Sequence, residues 1–292
     1  MAIGAGPSSG EDGFGERGLS VTPIPRVMGI LNVTPDSFSD GGRYQHLDTA
    51  IARAREMVAA GATIIDIGGE STRPGAHPVT VAEECARVLP VIEALRDQVD
   101  AAISVDTSTP AVMRDALRAG AGMINDVNAL RAPGALAVAA ESDVPLCLMH
   151  MAGEPRSMQK APRYQDVVGE VRAFLLDRVA ACRRRGIDER RLILDPGFGF
   201  GKTIEHNLRL LASLDTLVAT GFRVLVGMSR KSMIGAITGR GVHERATSSV
   251  VLALAAARKG AAILRVHDVA ITVDALRLTQ RLDDYETGAM GT

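Results

Sequence analysis

Eight residues able to hold a proton, an anion or a hydrogen-bonding edge stand at the ends of eight short aliphatic runs. Asn32 follows Val27–Leu31, Asp66 follows Ala62–Ile65, Asp106 follows Ala101–Val105 and Asn125 follows Ala121–Ile124. His150 follows Pro145–Met149, Asp195 follows Leu192–Leu194, Ser229 follows Val224–Met228 and Arg265 follows Ala261–Leu264. Carboxylates and amides accept or exchange hydrogen bonds, and arginine offers a two-pronged fork to an anion. Such groups form one site only if the chain brings the eight run ends together.

The runs themselves say how. About three to five aliphatic residues without alternation describe a strand buried on both faces. Helical stretches separate them, among them Thr49–Ala60, Val81–Val99, Pro110–Ala119, Asp166–Arg185 and Ser248–Lys259. Strand and helix alternating eight times predict an α/β fold, a single (β/α)8 TIM barrel, and a barrel of this kind typically needs about 250 residues. The 292-residue chain then divides into a tail over 1–22, the barrel over 23–285 and a short tail over 286–292. Catalytic groups of such barrels sit where strands end and βα-loops begin, so the polar run ends mark the expected site.

Composition narrows the function. Hydrophobic residues make up 46% and charged residues 23%, which describes a folded globular chain. No apolar stretch approaches the roughly 20 residues of a membrane span, and the N-terminal segment lacks the basic start and apolar core of a secretory signal. A formal charge of −1 argues against nucleic acid as a partner, so any anion site must be local. Cys85, Cys147 and Cys182 have no Cys-x-x-Cys spacing and read as small hydrophobes of a reducing compartment, the cytoplasm. The dispersed histidines give no helical pair that would bind zinc.

The loops after the runs are specific. The first strand leads into Asn32-Val33-Thr34-Pro35-Asp36-Ser37-Phe38-Ser39-Asp40-Gly41-Gly42, and the second into Gly68-Gly69-Glu70-Ser71-Thr72-Arg73-Pro74-Gly75. The sixth gives Asp195-Pro196-Gly197-Phe198-Gly199-Phe200-Gly201-Lys202, the seventh Gly227-Met228-Ser229-Arg230-Lys231-Ser232 and the eighth Arg265-Val266-His267-Asp268. Over roughly Val27 to Ala275 this series resembles the dihydropteroate synthase family, pterin-binding TIM barrels that are the targets of sulfonamide drugs. The glycines after Asp195 do not make a nucleotide P-loop, because the required first glycine position is Pro196.

The resemblance implies condensation of 6-hydroxymethyl-7,8-dihydropterin diphosphate with 4-aminobenzoate, giving 7,8-dihydropteroate and pyrophosphate. Asp106, Asn125, Asp195, Phe200, Gly227 and Lys231 carry over to the pterin side. Asn32, Arg265 and His267 carry over to the diphosphate, with Asn32 a ligand of Mg²⁺ that arrives with the substrate. Arg265 and His267 suit that task on their own chemistry, since strands one and eight of a closed barrel are neighbours and phosphate commonly binds near strands seven and eight. Thr72, Arg73, Pro74 and Ser229 fall on the aminobenzoate side. Asp106, Lys231, Arg265 and His267 are the expected catalytic set.

The expected mechanism is Mg²⁺-assisted dissociative substitution, with the Asn32–Gly42 loop closing to exclude water. Arg230 and Lys231 are expected to open a helix against its dipole, a placement that suits a nearby anion or electron-rich ring. The resemblance also implies a homodimer, compatible with the apolar stretches around Val250–Ala257 and Val273–Leu282. A methyltetrahydrofolate-dependent methyltransferase barrel would share the pterin-holding acids but need a corrinoid domain or partner, and this chain has no room for such a domain. A catalytically inactive pterin-binding paralogue would be favoured by loss of Asn32, Asp106 or Lys231, and all three are present.

Overall fold

The computed structural model describes residues 24–34, 43–70, 79–153, 158 and 162–286. Eight parallel strands close into one barrel in sequence order: β1 (Arg26–Asn32), β2 (Ile64–Gly68), β3 (Ala102–Asp106), β4 (Met123–Asp126), β5 (Leu146–Met149), β6 (Leu192–Asp195), β7 (Arg223–Val226) and β8 (Ile263–Val266). β8 pairs with β1 to complete the ring.

Around it run α1 (Arg43–Ala59), α2 (Val81–Leu95), α3 (Pro110–Ala119), α4 (Ala135–Ala140), α5 (Val167–Arg184), α6 (Ile204–Ala212), α7 (Leu214–Val218), α8 (Ser232–Thr238), α9 (Ala246–Arg258) and α10 (Val269–Glu286). Their starts follow local chemistry. Thr80 and Glu83 form a reciprocal capping box on α2, Pro110 takes the first turn of α3, and Asp166 caps α5 through the Val168 N–H. Gly29 lets α1 and α10 close on β1, since a Cβ there would sit 2.7 Å from Met57 Sδ and 3.2 Å from Val269.

Side chains on each strand alternate between two apolar worlds, which is why the sequence shows runs and not alternation. Outward residues such as Val27, Ile65, Ile103, Ile124, Leu194 and Leu264 join the helices in the large core. Inward residues Met28, Ile64, Met123, Cys147, Ile193, Leu225 and Ile263 form a separate floor inside the barrel. Fully burying one such Met or Ile contributes about 1.5–3 kcal/mol. Two or four residues further along six of the strands, the inward positions turn polar: Asn32, Asp66, Ser104, Asp106, Asn125, Asp195 and Arg265. The floor therefore supports a polar mouth on the same faces of the same strands.

Most strand and helix limits shift by a few residues from the sequence reading, and three of these shifts bear on the site or on the ends of the barrel. β2 continues to Gly68, because Ile67 and Gly68 keep the alternation going, and Asp66 becomes an interior residue one layer below the rim. α8 begins at Ser232, with Lys231 as its N-cap residue and Arg230 ahead of it. α10 runs through Glu286, one residue into the expected C-terminal tail. Residues 1–22 and 287–292 lie outside the described residues. The remaining prediction, a single (β/α)8 barrel, is what the chain forms.

Candidate active site

Register builds the first half of the site. Asn32 pairs with Gly68, Gly68 with Asp106 and Asp106 with Asn125, so four strands contribute one lateral row at the mouth. Gly68 leaves this row open. A Cβ added there would lie 3.6 Å from Asp106 Cβ and 3.7 Å from Asn32 Oδ1.

Arg265 reaches across the barrel to this row. Its Nε donates to Asp66 Oδ2 at 2.6 Å and its Nη2 to Asp106 Oδ2 at 2.6 Å. Asn125 Nδ2 donates to the same Asp66 oxygen at 3.0 Å, which turns the amide carbonyl of Asn125 away from Asp66. Asp66 is fully buried, and a guanidinium and an amide both meet its Oδ2. Burial pushes the Asp106 carboxyl up to about 7; Arg265 opposes this, while Asp66 adds to it. Burial alone would lower the Arg265 guanidinium, but Asp66 and Asp106 more than offset it and hold it above its ordinary value.

The second half comes from β6 and β7. Lys231 Nζ lies 4.0 Å from the centroid of the Phe200 ring, a cation–π distance. Burial pushes Lys231 down to about 8; Arg265 acts in the same direction, and Asp195 and Asp106 act against it. Asp195 ends β6 and accepts the Gly197 N–H at 2.7 Å through Oδ1. Burial raises its carboxyl to about 6 despite that hydrogen bond and the charges of Lys231, Arg265 and Lys202. Gly227 faces Arg265, where a Cβ would lie 3.7 Å from the arginine Cβ.

The third group sits beside it. Ser229 Oγ accepts the His267 backbone N–H at 3.2 Å and lies 3.0 Å from His267 Nδ1. With the backbone N–H pointing at its lone pair, the Ser229 hydroxyl can donate to Nδ1 and leave the His267 Nε2 proton for a ligand. Two residues expected on different substrates are thus joined by a hydrogen bond.

Arg230 is accounted for differently from its neighbour. It takes a left-handed backbone conformation (φ 57°) and forks onto Asp268 at 3.0 and 2.5 Å, so its charge is neutralised on the protein. Of this basic pair, Lys231 is the member that lies over an aromatic ring, that of Phe200.

Arg265, expected on the diphosphate, has Nε and Nη2 engaged by Asp66 and Asp106, which the sequence order of strands could not reveal. Thr72, Arg73 and Pro74, and the loop from Pro35 to Gly42, lie outside the described residues. Asp66 ended a run in the sequence reading but received no role. The signal was its parity: it lies an even step from Ile64 in a strand buried on both faces, so it must face inward and find partners. Lys202 was read only as part of a motif, yet it is among the most buried charges of the described residues.

Among the described residues no three His, Cys, Asp or Glu side chains cluster as a metal cage. Asn32 Oδ1, at the open edge of the row, offers a single neutral oxygen. That donor fits Mg²⁺ bound mainly by substrate phosphate and water, and would not fit a cation needing a protein cage. No helix of the described residues is long and apolar enough to cross a membrane.

Comparison with known proteins agrees with this geometry. The family described as pterin binding enzyme matches residues 28–267. Dihydropteroate synthase of Escherichia coli (strain K12) is 53% identical over 256 residues, covering 88% of this chain and 91% of that protein. The structure of Xanthomonas albilineans dihydropteroate synthase with 4-aminobenzoic acid superposes with a TM-score of 0.85 at 54% identity, covering 90% of this chain and 94% of that one. The same enzyme in complex with 7,8-dihydropteroate gives a TM-score of 0.82 at 51% identity, covering 90% and 95%. A barrel whose inward acids, amide, lysine and arginine converge as described, and which matches these proteins over nearly its whole length, belongs to the pterin-binding enzyme family and, within it, to the dihydropteroate synthases.

Proposed function

We propose that the residues gathered at this mouth carry the family's condensation of a pterin methyl diphosphate with 4-aminobenzoate. The observation that carries the assignment of roles is the unbroken set Asp66–Arg265–Asp106 with Asn125 beside it, facing Asp195 and Lys231 over Phe200. A pterin edge presents an exocyclic amine and ring N–H groups in one plane. Asp106, Asn125 and Asp195 supply in-plane acceptors, and Asn125 is held by Asp66 with its carbonyl free to accept. Lys231 and Phe200 border the ring, and Gly227 leaves space for it. Asn32, His267 and the cationic face of Arg265 meet the diphosphate. Ser229, with Thr72, Arg73 and Pro74, serves the aminobenzoate.

In the reaction the C–O bond between methylene and diphosphate breaks, and its electron pair leaves with pyrophosphate. Positive charge develops on the methylene and spreads into the pterin ring, where Asp106 and Asp195 stabilise it in their ionised forms. The aminobenzoate nitrogen then attacks the methylene and releases a proton to water or pyrophosphate. Mg²⁺ held by Asn32 and the phosphates would neutralise charge on the departing group. Arg265 links both halves, since it fixes Asp106 while lying toward the diphosphate side.

Pyrophosphate release from the purified protein tests this directly. Release should require both Mg²⁺ and 4-aminobenzoate and should vanish in Lys231→Ala. Release without the aminobenzoate, or unchanged release in that variant, would defeat the assignment.

A homodimer is part of the same reading. α9 and α10 pack together and leave Val251, Leu278 and Leu282 exposed, and a second copy is the proposed cover of these apolar side chains. Sedimentation of wild type against Leu278→Glu/Leu282→Glu would test it, with monomer expected for the variant. Free thiols at Cys85, Cys147 and Cys182 support a cytoplasmic, reducing setting.

A further inference from the structure

The loop from Pro196 to Lys202 holds a charge that the roles above do not use. Lys202 is only 3% exposed. Its Nζ lies 2.9 Å from His150 Nδ1, donates to the carbonyls of Gly197 at 2.9 Å and Phe200 at 3.1 Å, and makes a longer 3.4 Å bond to the His150 carbonyl. Among the described residues no carboxylate accepts from it. A buried ammonium that meets only neutral acceptors is costly, so what it fixes in place is the question.

It fixes the loop against the end of β5. Gly197 (φ 68°) is pressed so closely on the His150 carbonyl that no side chain fits, and a Cβ on Gly201 (φ 62°) would come within 2.5 Å of the Ala152 carbonyl. Asn207 Oδ1 accepts the Gly199 N–H at 2.7 Å, and the Tyr164 hydroxyl donates to the Gly201 carbonyl at 3.0 Å. His150 is itself wedged edge-on to Phe174, with ring centroids 4.9 Å apart. Burial pushes His150 down to about 3, so Nδ1 stays an acceptor, and pushes Lys202 down to about 7. The upper side of the loop faces the site: the Phe200 ring lies under Lys231 Nζ, and a Cβ on Gly199 would come within 3.0 Å of Lys231 Cδ.

We propose that Lys202 is a positioning residue: by clasping the Gly197 and Phe200 carbonyls to His150, it holds the bed of Gly199 and Phe200 on which the Lys231 side chain lies. Lys202 touches no substrate. It acts through Phe200, and the inference rests on Lys231 and Phe200 bordering the pterin.

The test is a double-mutant cycle of Lys202→Met with Phe200→Leu in the full-length protein. Binding of 6-hydroxymethylpterin is measured by calorimetry, KM for each substrate by turnover, and folding separately by thermal unfolding. Lys202→Met should weaken pterin binding and raise the KM for the pterin diphosphate about tenfold, with the KM for 4-aminobenzoate within about twofold. In the Phe200→Leu background the same change should cost less than about threefold, because the bed is already lost. Unchanged pterin binding in a folded Lys202→Met protein would overturn the proposal, as would an equal loss in both backgrounds. If Lys202→Met does not fold, Lys202→Gln is read by the same criteria. Failure of both to fold would make Lys202 a requirement of the barrel and not of the site, which also overturns it. Calorimetry needs no turnover, so a wild-type protein that binds the pterin without releasing pyrophosphate would defeat the synthase reading and leave this one standing.

Discussion

Arg265 and Lys202 are both cations withdrawn from water near the same barrel mouth, and their surroundings treat them in opposite ways. Arg265 meets two carboxylates and is held above its ordinary pKa; Lys202 meets a neutral imidazole and backbone carbonyls and is pushed down to about 7. On the arginine side, ionisable groups are gathered where charge must shift during a reaction. On the lysine side, polar groups maintain the shape of a loop. Nearby parts of one site thus use buried charge for different ends, electrostatics in one and geometry in the other.

The contrast is sharpest at Asp66. Removing one partner of a buried charge pair costs roughly 3–5 kcal/mol, so Asp66→Ala should destabilise the protein by that order in urea unfolding and abolish turnover. If it unfolded at the wild-type midpoint, the carboxylate–arginine cluster would not be the electrostatic anchor described. Asp106→Asn should leave folding nearly intact but lower kcat about 10²–10³-fold, the scale for losing one group placed against developing charge. Steady-state rates of the soluble variant decide this, and a wild-type kcat would remove Asp106 from the mechanism.

The lysine side is better separated by pH. His150 holds its proton less tightly in the folded protein (about 3) than its ordinary 6.5. Its contribution to stability is therefore complete above pH 6.5 and is lost as pH falls toward 3. Lys202 behaves likewise between 10.5 and about 7. Asp106 and Asp195, raised from 3.8 to about 7 and about 6, act oppositely: their contributions are present below 3.8 and lost as pH rises through those values. Between pH 6.5 and 4 the wild type should therefore lose stability on acidification more steeply than His150→Gln, by up to roughly 1.4 kcal/mol per pH unit. Parallel curves would show that His150 is not held neutral.

The smallest effect belongs to the Arg230–Asp268 fork, which is only partly buried. Asp268→Asn should cost about 1 kcal/mol or less in stability and leave the pterin KM unchanged, since Lys231 and not Arg230 lies over Phe200. A large rise in that KM would mean that Arg230 serves the site as well.

Much of this was legible in the sequence because a parallel barrel writes itself plainly: eight aliphatic runs, each followed by a polar residue. Asp106, Asn125, Asp195 and Arg265 could be placed at one mouth from order alone. What order does not contain is lateral register. That Asn32, Gly68, Asp106 and Asn125 share a row follows from the stagger of neighbouring strands, and only that stagger brings Arg265 onto Asp66 and Asp106. Lys202 was hidden for a related reason. A lysine after a glycine-rich loop reads as solvated until the loop is seen folded over it. Gly227 and Phe200 could be named through family resemblance, whereas the pairing of Ser229 with His267 depends on how β7 and β8 end side by side.

The alternation of inward and outward residues also limits how such a site can change over time. Lengthening β3 by one residue between Ser104 and Asp106 would swing Asp106 out among the helices and turn an aliphatic neighbour into the mouth. Each strand here can therefore exchange its functional residue for another in place, but cannot gain or lose a single position ahead of it. The loops beyond the strand ends carry no such parity, so a change of length there leaves the inward faces of the strands in place.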